Sequence, residues 1–293
     1  MFEKIKANLV FNRLMRRPNI DNAYKMVGPE DSWYDTITKV HNSLAEIKQN
    51  THETLQISSH DDLTLKAIYY PCEGSDKTAI WVHGYTSHAE RESAFPMLFY
   101  RSLGYNVLIP YLRAHGISEG KYIAFGALES LDMEAWVELI NEKHPNGHIV
   151  IHGLSMGGGI ALDVATKELK NVKCLVIDAP SYSISGFFAG VAEHISPKTH
   201  EKVFNHLCQR FRKEFGADPM AFDRVENIKQ CRYPLLLSAG SMEEQEEILK
   251  RIKENNPMDS TILILPGCNH GNGMYKQTEM YQGAIRTFLS KYC

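Results

Sequence analysis

The sequence predicts an α/β protein in which a mostly parallel, eight-stranded sheet is flanked by helices. Six short apolar runs are separated by segments of helical length, and such runs are typical of parallel strands buried on both faces. The six runs are 78–83, 106–110, 148–152, 172–178, 234–239 and 261–266. Two alternating runs, 54–58 and 64–70, precede them and predict an antiparallel strand pair.

The size and composition of the chain are those of a globular protein with a full core. It has 293 residues, of which 43% are hydrophobic and 23% are charged. No internal repeat, low-complexity tract or Gly/Ser linker divides it, so we predict one α/β domain over 51–293, with an N-terminal helical segment, 1–50, packed on it. The formal net charge is −3 and the basic residues are dispersed, so we expect no nucleic-acid partner.

The six cysteines predict free thiols. They lie far apart and none belongs to a C-x-x-C pair, which suits a reducing compartment, so we expect a cytoplasmic protein without disulfides. The sequence has no metal-ligand spacing, phosphate-binding loop or dinucleotide fingerprint, so neither a metal nor another cofactor is expected. Apolar residues near the start are too few and too interrupted for a signal peptide or a spanning helix, so we expect no stable membrane insertion.

Two helices are predicted within the N-terminal segment. Residues 2–15 carry an apolar stripe beside several basic residues; docking on the protein's own domain, a contact in a homodimer and binding to a membrane surface are the alternatives. The stripe consists of Phe2, Ile5, Leu9 and Leu14. A capping-box pattern of Ser32 and Asp35 begins a second helix. Its apolar positions step by three and four and indicate a packed face: Trp33, Ile37, Val40, Leu44 and Ile47.

The segment 148–159 contains the most informative pattern in the chain. A β-branched apolar run leads into Gly153-Leu154-Ser155-Met156-Gly157, and a helix-compatible stretch follows. A strand must therefore reverse sharply into a helix at Ser155, with glycine on both sides because a side chain there would collide with the turn. This is the geometry of a nucleophile elbow, which holds the serine hydroxyl clear of the backbone.

A serine nucleophile needs a base and two donors for an oxyanion. His270 fits the base because it follows the last predicted strand, on a loop at the carboxyl edge of the sheet. One donor is the N–H of Met156, at the amino end of the helix after the elbow. The second is assigned to the N–H of Tyr85, with Gly84 letting the backbone bend towards the substrate.

The long spacer between the strands at 172–178 and 234–239 predicts a helical cap over residues 181–230. Ser196-Pro197 is a good helix start, and Gly216 can close that helix. An insertion at the carboxyl edge of an open sheet lies over the ligand site. We therefore expect Phe187 and Phe188 to line a substrate pocket together with Gly84, although a Phe pair is more often plain packing.

Taken together, these motifs resemble those of the α/β-hydrolases. The matching residues run in the family's order over residues 54–291: 83–85, 113–116 with Ser118 and Gly120, 153–157, and 270–271. In detail the chain is similar to bacterial members of serine-peptidase and esterase type. The resemblance implies an α/β-hydrolase fold with a helical cap and a triad whose acid follows the seventh strand.

At the acid the sequence departs from the family's usual aspartate. Glu243 occupies the expected place, three residues after Gly240, and glutamate is allowed there. Glu244, next to it, and Asp178, at the end of the preceding sheet strand, are the alternative acids. The acidic run that contains residues 243 and 244 also has a simpler interpretation as the solvated start of a helix.

The predicted function is a serine hydrolase that cleaves a carboxylic ester, or a related thioester or amide, through an acyl-enzyme. Its expected partner is a small-molecule acyl substrate. A ligand-binding protein that keeps the fold with little turnover is one alternative, because the usual aspartate is missing. An acyltransferase or a peptidase using the same triad is another.

Overall fold

The computed structural model describes residues 2–293, and side chains from residue 3 onward. Its eight strands form one sheet in the order β1-β2-β4-β3-β5-β6-β7-β8. The strands are β1 (Glu53–Ser58), β2 (Thr64–Tyr70), β3 (Lys77–Val82), β4 (Asn106–Pro110), β5 (His148–Leu154), β6 (Val172–Asp178), β7 (Leu235–Gly240) and β8 (Ser260–Leu265). Only the pairings of β2, with β1 and β4, are antiparallel. The predicted mostly parallel, eight-stranded sheet is therefore confirmed.

Helices cover both faces of this sheet. Within the described residues they are α1 (Phe2–Met15), α2 (Tyr34–Ile47), α3 (Ala89–Ser102), α4 (Glu129–Lys143), α5 (Met156–Ala165), α6 (Ile184–Ile195), α7 (His200–Phe215), α8 (Arg224–Asn227), α9 (Glu246–Asn255), α10 (Gly273–Lys276) and α11 (Thr278–Tyr292). One buried cluster joins the sheet to α1 and α4–α9, and the other joins it to α2, α3, α10 and α11. No helix in residues 2–293 is long and apolar enough to cross a membrane.

Parallel pairing brings the functional loops to one edge of the sheet. Val82 of β3 pairs with Gly153 of β5, and Leu154 pairs with Asp178 of β6. The segments that follow β3, β5, β7 and β8 therefore leave the sheet side by side, because the carboxyl ends of parallel strands meet at the same edge.

Helix α1 docks on the protein's own domain, but not through the predicted stripe. It buries Ala7, Phe11 and Met15, whereas Ile5 is 54% and Leu9 is 67% exposed. The buried residues recur every four positions, and the ring centroid of Phe11 lies 6.3 Å from that of Phe215 on α7. The predicted stripe was wrong at Ile5 and Leu9, because the small Ala7 occupies this contact instead, whereas Leu14 is partly buried against the same core. The side chain of Phe2 lies outside the described residues.

Two predicted helix starts also differ from the structure. The capping box at Ser32 does not form; instead the carboxylate of Asp31 accepts the N–H of Trp33 at 2.8 Å, and α2 begins at Tyr34. The cap helix α7 begins at His200, because Ser196 ends the preceding helix α6. Its predicted end is confirmed, since Gly216 takes a left-handed φ of +65° there.

A buried ion pair connects the segment 181–230 to the sheet domain. Arg224 is 1% exposed and donates to the Asp163 carboxylate on α5 at 2.7 Å. The same guanidinium donates to the carbonyls of Phe125 and Ser181. Burial raises the pKa of Asp163, and the neighbouring Arg224 opposes that shift.

We expect Arg224→Ala to destabilise the protein by about 3–5 kcal/mol, because it leaves the Asp163 carboxylate buried without its cation. Urea unfolding would measure this change. The double variant Arg224→Met with Asp163→Leu removes both charges and should recover most of the lost stability. Equal losses in the single and the double variant would contradict this account.

Candidate active site

Ser155 occupies a sharp turn between β5 and α5. Its backbone has φ +58° and ψ −116°, a conformation that a residue with a side chain rarely adopts. A Cβ added to Gly153 would overlap the backbone of Gly157, and one added to Gly157 would overlap the carbonyl of Val82. The two glycines therefore permit the strained turn that presents the serine hydroxyl.

A chain of hydrogen bonds links Ser155 to a histidine and a carboxylate. The Ser155 Oγ lies 2.8 Å from Nε2 of His270, and Nδ1 of His270 lies 2.5 Å from Oε2 of Glu243. The other oxygen of Glu243 accepts the N–H of Gly240 at 2.8 Å. The His270 side chain is 53% exposed, whereas that of Glu243 is only 7% exposed. An arrangement of this kind can take a proton from a serine hydroxyl.

The carboxylate changes the proton affinity of the imidazole. The hydrogen bond from His270 to Glu243 raises the pKa of His270 above its ordinary value, and burial opposes this change only in part. Glu243 thus stabilises a positive charge on the ring, and its contact with Nδ1 leaves Nε2 facing the serine.

The alternative acids lie elsewhere. One oxygen of Asp178 accepts the Ser238 hydroxyl at 2.9 Å and the other accepts the Tyr281 hydroxyl at 3.0 Å. Burial raises the pKa of Asp178 to about 6. Glu244 is exposed and takes a left-handed φ of +55° after the short turn that contains Glu243. Of the three predicted carboxylates, the structure brings Glu243 to His270.

The predicted oxyanion donors lie on two segments beside Ser155. Met156 is the first residue of α5, where a backbone N–H has no acceptor within the helix. The N–H of Gly84 donates to Glu92 at 3.0 Å, so the next amide, that of Tyr85, is the one left for a ligand. The Tyr85 hydroxyl donates to the carbonyl of Leu14 at 2.7 Å and ties this loop to α1.

Two cavities meet at Ser155 and His270. The first has a volume of about 480 Å³ and lies between the loop after β3 and the N-terminal segment. The second has a volume of about 380 Å³ and lies beneath the start of the cap. Both volumes fall in the range of small-molecule sites. A substrate can therefore extend to either side of the serine.

The three predicted pocket residues lie in different environments. Gly84 lines the first cavity and Phe187 lines the second. Phe188 is fully buried, with its ring centroid 5.7 Å from that of Phe211. Its prediction as a substrate contact was wrong, because adjacent residues of helix α6 point in different directions and only one of the pair can face the cavity.

Sequence reasoning missed the N-terminal wall of the first cavity and the buried acid Glu92 that also lines it. Tyr24, Trp33 and Ile37 line this cavity, although they precede the first strand. Glu92 also lines it and is 2% exposed. A signal for Glu92 was present in the sequence. It lies four residues before Pro96 and therefore on the same face of α3, which is buried. No local pattern marked Trp33 as a site residue rather than a packing residue.

A family model described as serine aminopeptidase, S33, matches residues 74–224, which is more than half of the chain. The chain belongs to this α/β-hydrolase family. The model covers the segments after β3 and β5, whereas His270 and Glu243 lie beyond it.

Curated relatives match over shorter stretches. YqkD of Bacillus subtilis is 32% identical over 123 residues, covering 42% of this chain and 40% of that protein. A multifunctional-autoprocessing repeats-in-toxin protein of Vibrio cholerae is 32% identical over 124 residues, covering 39% of this chain and 3% of that protein. The chain thus spans well under two thirds of the length of these relatives.

Solved structures match over nearly the whole chain. The esterase Pf2001 of Pyrococcus furiosus has a TM-score of 0.67 and 25% identity, covering 95% of this chain and 98% of that one. An α/β-hydrolase of Vibrio vulnificus has a TM-score of 0.64 and 19% identity, covering 95% and 92% of the two chains. The protein is therefore an α/β-hydrolase with esterases among its structural neighbours.

Proposed function

We propose that the protein is a serine hydrolase that cleaves carboxylic esters through an acyl-enzyme. The observation that carries this proposal is the hydrogen-bonded chain from Ser155 through His270 to Glu243, with distances of 2.8 and 2.5 Å. Hydrolysis of esters is favoured over other acyl chemistry by the similarity to an esterase over nearly the full chain.

In the proposed reaction, Nε2 of His270 takes the proton of Ser155 as Oγ attacks the ester carbonyl. Glu243 holds the ring and offsets the positive charge that forms on it. The same proton then passes to the leaving alkoxide, and the acyl group remains on Oγ. A water molecule, deprotonated by His270, hydrolyses this acyl-enzyme and restores the serine.

The oxyanion hole is formed by the amides of Met156 and Tyr85. The dipole of α5 adds to the attraction of the Met156 amide, because this residue lies at the amino end of the helix. Glu92 supports the Tyr85 amide indirectly. Its carboxylate accepts a hydrogen bond from the N–H of Gly84 and so holds the backbone just before Tyr85.

A panel of p-nitrophenyl esters, followed by labelling with a fluorophosphonate, tests the proposal. We expect release of p-nitrophenol and attachment of one phosphonyl group, which peptide mapping should locate at Ser155. Absence of both turnover and labelling would instead favour the ligand-binding alternative.

The dependence of kcat/KM on pH provides a second test. His270 acts as a base only when it is neutral, and Glu243 raises its pKa, so kcat/KM should rise with pH along a limb centred above the ordinary histidine value of 6.5. Glu243→Gln removes the negative charge, so the same limb should move to lower pH in the residual activity. A limb that stays in place would contradict the assigned contact.

Cleavage of a peptide or aminoacyl amide is the second candidate function, because the matching family model is described as a serine aminopeptidase. Aminoacyl derivatives of 7-amino-4-methylcoumarin test it beside the esters. A kcat/KM for these amides above that for every ester would favour the peptidase.

The cytoplasmic location and the homodimer stay predictions. The prediction of a reducing compartment rests on the cysteine spacing in the sequence, and the structure brings the Sγ atoms of Cys174 and Cys293 to 3.6 Å from each other. Sedimentation of the purified protein would measure its oligomeric state.

A further inference from the structure

We propose that the first cavity binds a compact, apolar part of the substrate that ends in a hydrogen-bond donor, either an amine or a hydroxyl group. The inference rests on the proposed function, because Ser155 and His270 form one end of this cavity. It adds a substrate class that is set mainly by Glu92, Ser87 and the N-terminal segment.

The lining of the cavity includes a buried carboxylate, that of Glu92. Oε1 of Glu92 accepts the indole N–H of Trp81 at 3.0 Å and the N–H of Gly84 at 3.0 Å. Oε2 has longer contacts, 3.2 Å from that N–H and 3.4 Å from the Tyr24 hydroxyl. A carboxylate accepts about four hydrogen bonds and these contacts come from three donor groups, so one place remains for Ser87 or for a ligand donor that displaces the long contact from Tyr24.

Within residues 2–293, no Lys, Arg or His forms a salt bridge with Glu92. Burial raises the pKa of Glu92 to about 7. A ligand ammonium would supply the missing positive charge, and a ligand hydroxyl would supply a hydrogen bond without it. The ionised form of Glu92, which predominates above pH 7, would repel a ligand carboxylate.

Ser87 is a second polar group of this cavity. It lines the cavity and is 7% exposed, and its hydroxyl lies close enough to Glu92 to lower the pKa of that carboxyl, but it completes no hydrogen bond of normal geometry in the described part of the chain. Buried hydroxyls are normally paired, because an unpaired one loses its bonds to water. A donor bound between Ser87 and Glu92 would satisfy both.

The carboxylate of Glu92 lies close to Ser155, which fits a short substrate group. A Cβ placed on Gly84 would lie 3.2 Å from Oε2 of Glu92 and 3.5 Å from Cβ of Ser155. A single glycine therefore separates the carboxylate from the serine. The donor of the ligand must lie only a few atoms from the reacting carbonyl carbon or its leaving oxygen.

The apolar wall comes from residues before the family match. Trp33 and Ile37 line the cavity, while the matched region begins at residue 74. Several contacts fasten this wall: Arg91 donates to the carbonyls of Asp21 and Ala23, and the carbonyl of Tyr24 lies 2.8 Å from Nε2 of His41. The wall is therefore preformed, which reduces the entropy lost on binding.

Ligand-observed NMR titrations on Ser155→Ala protein test the inference without requiring turnover. The probes are butylamine, butan-1-ol and butanoate. We expect the amine or the alcohol to bind and butanoate not to bind. Adding Ser87→Ala should weaken binding about 5- to 10-fold, whereas the matched change Ser185→Ala, outside the cavity, should leave it unchanged.

The wall is tested by Trp33→Ala, which enlarges the cavity, with Tyr34→Ala as the adjacent aromatic control. Trp33→Ala should make hexylamine or hexan-1-ol bind better than its four-carbon counterpart, and Tyr34→Ala should not. Tighter binding of the amine assigns an amino group, and tighter binding of the alcohol assigns a hydroxyl. Equal binding of butanoate, or no effect of either Ser87→Ala or Trp33→Ala, would overturn the inference. Binding without ester hydrolysis by the unaltered protein would overturn the proposed function alone.

Discussion

Ser155→Ala should lower kcat for p-nitrophenyl ester hydrolysis by about 10⁶-fold. The variant keeps the elbow backbone and both proposed oxyanion amides but has no oxygen to form the acyl-enzyme. Because Ser155 lies at a φ of +58°, alanine retains the Cβ that the turn already accommodates. Initial rates and intact-protein mass after fluorophosphonate treatment measure the loss.

Ser181→Ala is the matched control for Ser155→Ala. Ser181 lines the second cavity, but its hydroxyl accepts a hydrogen bond from Arg224 at 3.0 Å rather than contacting His270. Phosphonyl labelling should therefore persist in this variant. Labelling that survives Ser155→Ala would place the nucleophile at another residue and refute the mechanism.

Glu243→Gln should lower kcat by about 10⁴-fold. The glutamine keeps the shape of the side chain, but its amide no longer offsets the charge that His270 gains in the transition state. It can also hold the ring in the wrong tautomer, because its NH₂ group donates where the carboxylate accepts. Progress curves at several pH values measure this loss, and circular dichroism checks the fold.

Asp178→Asn tests whether the loss in Glu243→Gln comes from the contact with His270 or from the removal of any nearby negative charge. Asp178 binds Ser238 and Tyr281, and both hydroxyls can rotate to suit an amide. We expect its kcat to stay within about 10-fold of the unaltered enzyme, since the contact between Glu243 and His270 remains. A larger loss in Asp178→Asn than in Glu243→Gln would transfer the role of the acid to Asp178.

Most of the sheet could be predicted from the sequence. The run 172–178, for example, matches β6 residue for residue, because the centre of a strand buried on both faces is apolar. The elbow was equally readable, since only glycine fits at positions 153 and 157. Helix starts were less accurate, because Asp31 takes the capping role predicted for Ser32, and Ser196 ends α6 rather than starting α7.

The sequence by itself determined the fold and the loops that would carry chemistry, since burial periodicity and glycine sterics are local properties. Only the tertiary structure decided which carboxylate faces His270, because Glu243 and Asp178 both follow sheet strands and differ in how their side chains pack. It also placed Trp33 and Tyr24 beside Ser155. Contacts between residues so distant along the chain depend on how separate elements pack together, and no spacing within either segment encodes that.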